Sequence, residues 1–192
     1  KVWKKFLHTI DDSLSPMQNF PNISYSCNKF IVPILPQYHT TLLPDSQLKN
    51  ENRIDFLGKE AHRYALQKVY ISWAPTNGAK PGDIIIFYRM GEGENKKYKS
   101  VITSVANVDE IIENVKSEND LLNMCKNRSV FSTAELKAFW AKKHNNLKIL
   151  KFIFVKSLSK RLILGVAWRS NGRFLLISCR FVTSAQAFLH MM

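Results

Sequence analysis

Only three cysteines occur in the 192 residues, Cys27, Cys125 and Cys179, and no two of them form a Cys-x-x-Cys pair. That spacing argues against a disulfide framework and a zinc knuckle, and it fits a reducing compartment. The five histidines are scattered, none at ligand spacing from another His or a Cys, so no metal is expected. No feature marks Cys125, on an apolar helix face, or either other cysteine as an activated nucleophile. No stretch approaches the ~18 consecutive apolar residues of a membrane span. The opening Lys1-Val2-Trp3-Lys4-Lys5 is not followed by a signal-peptide core, so we expect a cytoplasmic chain with no membrane partner. There is no internal repeat or low-complexity tract.

Acidic residues are also scarce. Fifteen Asp and Glu face 28 Lys and Arg, giving +13 and a pI near 9.8. A balance this basic points to a polyanionic partner, because neutralising phosphates releases counterions and steers encounter, although a basic solvated surface carries the same charge. With 45% apolar and 22% charged residues the chain is expected to fold. Its length suits one domain, or one domain with an appendage.

The stretch from Lys68 to Arg89 carries the clearest pattern. Residues 69–73 and 84–88 read as two strands, with Asn77-Gly78 and Pro81-Gly82 supplying the turns between them. Residues 84–87 are apolar throughout, which predicts a strand covered on both faces. Upstream, Val2, Trp3, Phe6, Leu7 and Ile10 fall on one helical face, and residues 16–28 read as a loop, so 1–28 is expected to be a helix and linker ahead of a domain at 29–192. Pro33 within the run 30–35 predicts an edge or bulged strand. A short helix is expected over 58–67, a bent β segment over 98–112 and a strand over 149–158. Helices are predicted after Ser117 and after Ser132, whose Glu135 completes a capping box. In the tail, 174–181 reads as a strand, followed by a last helix.

Four blocks carry a resemblance. They are Phe30-Ile31-Val32-Pro33-Ile34-Leu35-Pro36-Gln37-Tyr38-His39, Lys68-Val69-Tyr70-Ile71-Ser72-Trp73-Ala74, Lys80-Pro81-Gly82-Asp83-Ile84-Ile85-Ile86-Phe87-Tyr88-Arg89 and Arg128-Ser129-Val130-Phe131-Ser132. In this order they resemble a PUA-like domain of the EVE and YTH group. The resemblance implies an α+β fold, a PUA-like β-barrel with flanking helices. It is similar to the carboxyl-terminal domain of bacterial proteins whose amino-terminal half resembles a GNAT acetyltransferase. Lys1 in place of Met fits a missing upstream catalytic domain, yet no acetyl-CoA loop is present and no cofactor is expected. The tail departs from the pattern, with Leu164 to Cys179 matching hardly at all.

The function implied is non-catalytic binding of RNA or DNA, with a base, often a modified one, held against aromatic rings. A stacked base contributes roughly 1–3 kcal/mol. The base-pocket candidates are Trp73, Tyr38, Tyr88, His39, Pro33, Ser72 and Asp83. Trp73 is either a pocket ring or a packed core ring. His39 either bonds a base edge or serves a turn, and Asp83 most simply closes the Pro-Gly turn. The phosphate-binding candidates are Arg89, Lys96, Lys97, Lys99, Lys126 and Arg128, alternatively plain solvated surface. Two other readings stand beside this one: an interaction or regulatory domain of a larger protein, and a nucleoside-modifying enzyme using a trio such as Lys80, Thr103 and Glu110.

Overall fold

The β-branched run that begins at Lys29 forms the first strand, β1 (Lys29–Ile34), in a computed structural model that describes residues 10–49, 51, 61–94, 96–143, 145–163 and 179–181. The others are β2 (Gln67–Ser72), β3 (Ile84–Arg89), β4 (Val101–Ile112), β5 (Lys148–Ile163) and β6 (Cys179–Phe181). They make one mixed sheet in the order β2-β5-β4-β3-β1-β6. β1 runs parallel to β3 and β6, and every other pair is antiparallel. Helices α1 (Pro16–Asn19), α2 (Pro36–Leu42), α3 (Lys96–Lys99), α4 (Glu118–Cys125) and α5 (Thr133–Lys143) join them. Among the described residues, the 3-10 turns Pro44–Ser46 and Ala61–Arg63 complete an α+β architecture.

The sheet curls on itself. β2 and β1 stand four positions apart in the order, which in a flat sheet would separate them by about 19 Å at the usual strand spacing. Yet the Tyr70 hydroxyl on β2 donates to the Pro33 carbonyl on β1 at 3.0 Å. Register shifts in the β4–β5 ladder at Ile102/Ser104, Val105/Ala106 and Val108/Glu110 supply the bending, because each bulge kinks and twists its strand. The inside of the curl is filled by Val32, Ile34, Ile85, Phe87, Val108 and Phe152, with the Phe87 and Phe152 rings 4.8 Å apart.

A second core lies between the sheet and the helices. Along β2 the odd positions Val69 and Ile71 point outward to meet Leu121 and Cys125 of α4 and Leu136 of α5. The even position Tyr70 packs against the inner core, as the period of two in a strand requires. Both helix starts are built as predicted. Ser117 Oγ accepts from Asp120 N at 3.1 Å, and Ser132 and Glu135 cap each other reciprocally.

Several expectations need correction. The strands at 69–73 and 84–88 are not neighbours, since β5 and β4 lie between them. β3 is central as predicted, between β4 and β1, and the turns ahead of it place Gly78 and Gly82 at φ 76° and 91°. β1 is interior, paired with β6 from Lys29 to Ile31 among the described residues, and Pro33 is paired with Tyr88 of β3. The loop at 16–28 contains the one-turn α1, because Ser15 and Gln18 form a capping box around Pro16. The described part of the helix expected at 58–67 is only the turn Ala61–Arg63. β5 runs on to Ile163, and the tail strand is seen as Cys179–Phe181. The helices expected over 2–10 and at the C-terminus lie outside the described residues, apart from Ile10. Among the described residues no helix is long and apolar enough to cross a membrane.

Tyr70→Phe tests the closure. It leaves the Pro33 carbonyl without this donor, and urea unfolding is expected to show a loss of about 1–2 kcal/mol.

Candidate functional site

Three places hold the chemistry-bearing residues. The first is an apolar cavity of about 40 Å³ inside the curl, lined by Phe30, Val32, Tyr70, Ser72, Ile85 and Val108 among others. At about 10–15 Å³ per water it has room for some three waters and none for a stacked base. The second is a polar network centred on His39. The third is a cleft of about 700 Å³ between the Ala61–Arg63 turn, α4 and the start of α5.

Most of the expected base-pocket residues serve the fold. Trp73 follows β2 at an outward-facing position and sits in the second core at 9% exposure, its ring edge-on to Phe139 at 5.7 Å. The pocket role expected of it is therefore corrected to a core role: α4 and α5 cover the face it would need. Tyr38 is half-buried, edge-on to Phe131 at 5.0 Å. Tyr88 is half-buried beside Pro33 in the ladder, with burial raising the pKa of its hydroxyl. Ser72 Oγ accepts from Ala74 N at 3.0 Å. Asp83 is buried and accepts from Asn28 N at 3.0 Å and Lys80 N at 2.8 Å, so it staples the Pro-Gly turn to the entry of β1.

His39 is fully buried on α2. Its Nε2 lies 2.9 Å from Thr103 Oγ1, and its Nδ1 lies 3.3 Å from Thr40 Oγ1. Thr40 has one proton, and it goes to Glu51 Oε2 at 2.5 Å. With that proton committed, Thr40 Oγ1 accepts from Nδ1; Thr103 Oγ1, which also lies 3.4 Å from the Phe87 carbonyl, faces Nε2, and its donation there gives the neutral Nδ1–H tautomer. Burial drives the His39 pKa down to about 4, Arg89 and Arg161 push the same way, and Glu51 opposes them. The network continues from Thr103 to Ser104 at 3.2 Å and from Ser104 to Ser46 at 2.5 Å. Arg89, expected to bind phosphate, is instead occupied by Glu51 (Nε to Oε1, 3.0 Å) and by Glu92 at 3.4 Å.

The cleft is where the basic loop went. Lys126, Asn127, Ser129 and Phe131 line it, with His62 opposite. Asn127 takes φ 60°, a left-handed conformation that Asn tolerates, so the chain turns back sharply after α4. Arg128 O accepts from Val69 N at 3.1 Å, which pins the loop to β2. The facing wall is held by Lys68, buried, whose Nζ donates to the carbonyls of His62 (2.6 Å) and Arg63 (3.1 Å). Burial lowers the Lys68 pKa to about 8. Next to this wall Tyr64 stands 81% exposed. Lys126 and Arg128 are exposed, as are Lys96 and Lys99 on α3, where Tyr98 is 54% exposed. The side chain of Lys97 lies outside the described residues.

The catalytic trio is not assembled. Thr103 bonds His39, while Glu110 pairs with Lys151 at 2.6 Å. Burial raises the pKa of Cys27 and pushes that of Cys125 up to about 12, so neither is a ready thiolate. Sequence reasoning missed Thr40, Ser46, Glu51, Ser104 and Arg161, which no local motif links to His39, and it missed Tyr64 as an exposed ring.

No family model matches the chain, and no curated protein matches it. Among solved structures it is similar to a mutant ZmASCH protein from Zymomonas mobilis, at 11% identity and a TM-score of 0.43, covering 75% of this chain and 81% of that one. A likeness at that score assigns no activity here.

Two outcomes are expected. Trp73→Ala costs about 3–5 kcal/mol in chemical unfolding, as a core truncation does. The folded pKa of His39 lies below its unfolded value, so the unfolded chain binds more protons between the two. Its contribution to stability is present above about pH 6.5 and is lost as pH falls toward about 4, on the order of 3 kcal/mol. His39→Gln should flatten that part of the stability-pH profile; a profile unchanged by the substitution would contradict this.

Proposed function

We propose that the chain is a non-catalytic nucleic-acid-binding module with a PUA-like fold of the EVE and YTH group. The observation that carries the reading is the cleft of about 700 Å³ walled by Lys126 and Phe131, where a basic segment singled out in the sequence meets a cavity of ligand size. The excess of +13 supplies the long-range attraction. Lys126 and Arg128 take the backbone phosphates, and the rigid tie of Arg128 to β2 holds them in place.

Base contact moves away from Trp73. Tyr64 beside the cleft and Tyr98 among the α3 lysines offer exposed faces, and a ring that is already bare needs no rearrangement to stack. In this reading the polymer is single-stranded RNA or DNA, with a splayed base, plain or modified, against Tyr64. An upstream domain such as an acetyltransferase would then act on what this module holds.

Anisotropy titration with labelled single-stranded oligonucleotides tests the proposal. Affinity is expected to fall steeply between about 50 and about 200 mM salt, and the Lys126→Glu/Arg128→Glu pair should reduce the log-log slope by roughly 1.4, the value for two lost contacts. Tyr64→Ala is expected to weaken binding about 5- to 150-fold with that slope unchanged. Absence of binding at low salt, or a slope untouched by the charge reversal, would sink the reading.

A further inference from the structure

The carboxylate of Glu51 sits in a cradle that it does not itself build. Oε2 accepts from Thr40 Oγ1 at 2.5 Å and from Leu48 N at 2.9 Å, and Oε1 accepts from Arg89 Nε at 3.0 Å. A hydroxyl, a backbone N–H and a guanidinium thus converge on two oxygens of one acid group. Thr40 belongs to α2 and Arg89 to β3, so two of the three donors are placed by elements that do not depend on Glu51.

Among the described residues, a second guanidinium stands near the Arg89–Glu51 pair. Arg161 on β5 approaches the same loop, with Nη2 on Gln47 O at 3.3 Å, while Gln47 Nε2 donates to Glu51 O at 3.0 Å. The other hydrogen bonds of Arg161 among the described residues are also to neutral oxygens, Thr103 O at 2.8 Å, Ser157 Oγ at 3.0 Å and Leu158 O. Among the described residues, Arg89 meets the well-buried carboxylate of Glu51 and that of Glu92, which is 70% exposed, while Arg161 meets no carboxylate. His39 adds no charge, because it stays neutral above its lowered pKa. The pair also meets solvent at its edge, with 13% of the Arg89 side chain and 9% of that of Glu51 exposed.

We propose that Thr40, Leu48 N and Arg89, flanked by Arg161, form a phosphate-binding site which Glu51 occupies as an internal stand-in. A phosphate group presents at least two oxygens in the place of the carboxylate pair, and its greater charge matches two guanidinium groups where one carboxylate does not. The group comes either from free phosphate or from a nucleic-acid backbone. The site is separate from the α4–α5 cleft, and inorganic phosphate alone tests it whether or not the nucleic-acid reading holds.

The test uses the full chain, Glu51→Ala and Glu51→Ala/Arg89→Ala. Each is followed by calorimetric titration and thermal unfolding with inorganic phosphate up to about 50 mM at constant ionic strength, since a ligand bound to the folded state raises the unfolding temperature. Glu51→Ala is expected to bind phosphate about 10- to 100-fold more tightly than the unaltered chain, with a matching rise in unfolding temperature, and the double variant to lose the gain. A parallel arm uses an unphosphorylated-end oligonucleotide. A gain for phosphate alone supports a free-phosphate site, and a gain for both supports a backbone site. Three results would overturn the proposal: a folded Glu51→Ala that binds no more tightly, a gain that survives removal of Arg89, or a Glu51→Ala chain that stays unfolded even with phosphate, which would make the carboxylate irreplaceable.

Discussion

The hydrogen bond from Tyr70 to the Pro33 carbonyl joins two strands that pair with different partners and stand four places apart in the sheet order. It exists only because the sheet curls, and it satisfies a carbonyl that would otherwise face an apolar interior at a cost of about 1–3 kcal/mol. Much else follows from that geometry. Curling turns the even positions of β2 inward against Phe87 and leaves its odd positions outward, so a second apolar face must be covered. α4 and α5 cover it, and Trp73 is consumed in the process. The loop between those helices, pinned to β2 through Arg128, then becomes one wall of the large cleft.

A different balance governs the polar network around His39. Five of its members, His39, Thr40, Ser46, Thr103 and Ser104, are essentially sealed from solvent. Such groups are tolerated because each donor finds an acceptor, and low dielectric strengthens every bond while making any unpaired group costly. With Thr40 committed to Glu51, Nδ1 of His39 is the nitrogen that donates, and burial favours the neutral ring. An imidazolium would bring a buried charge beside Arg89 and Arg161. The network also knits α2, β4 and the loop ending at Glu51, so the electrostatics and the architecture of this end of the sheet are coupled.

Much of the secondary structure was legible because its signals are local. Ser132 with Glu135, Ser117 before α4 and the glycines ahead of β3 each act within four residues, and the structure uses them as read. Pairing was not legible. Residues 69–73 and 84–88 are close in sequence with good turns between them, yet β2 and β3 are separated by two strands that arrive later, and β2 pairs antiparallel with β5, a partner that no signal local to either segment names. The site candidates divided along the same line. Lys126 reached the cleft because its exposure is a property of its own loop. Arg89 did not remain free, because Glu51 lies 38 residues away in sequence and 3.0 Å away in space.

The sequence by itself determined the elements, the caps and turns, the central apolar strand and the positive excess, since each depends on neighbours along the chain or on composition alone. Only the tertiary structure decided which ring is core and which is bare, which arginine is neutralised, and whether His39 carries charge. Those outcomes depend on burial and on partners brought from distant segments. A Trp at the end of a strand and a Tyr after a turn differ little as text; the curl of the sheet and the cover of two helices bury Trp73 and leave Tyr64 exposed.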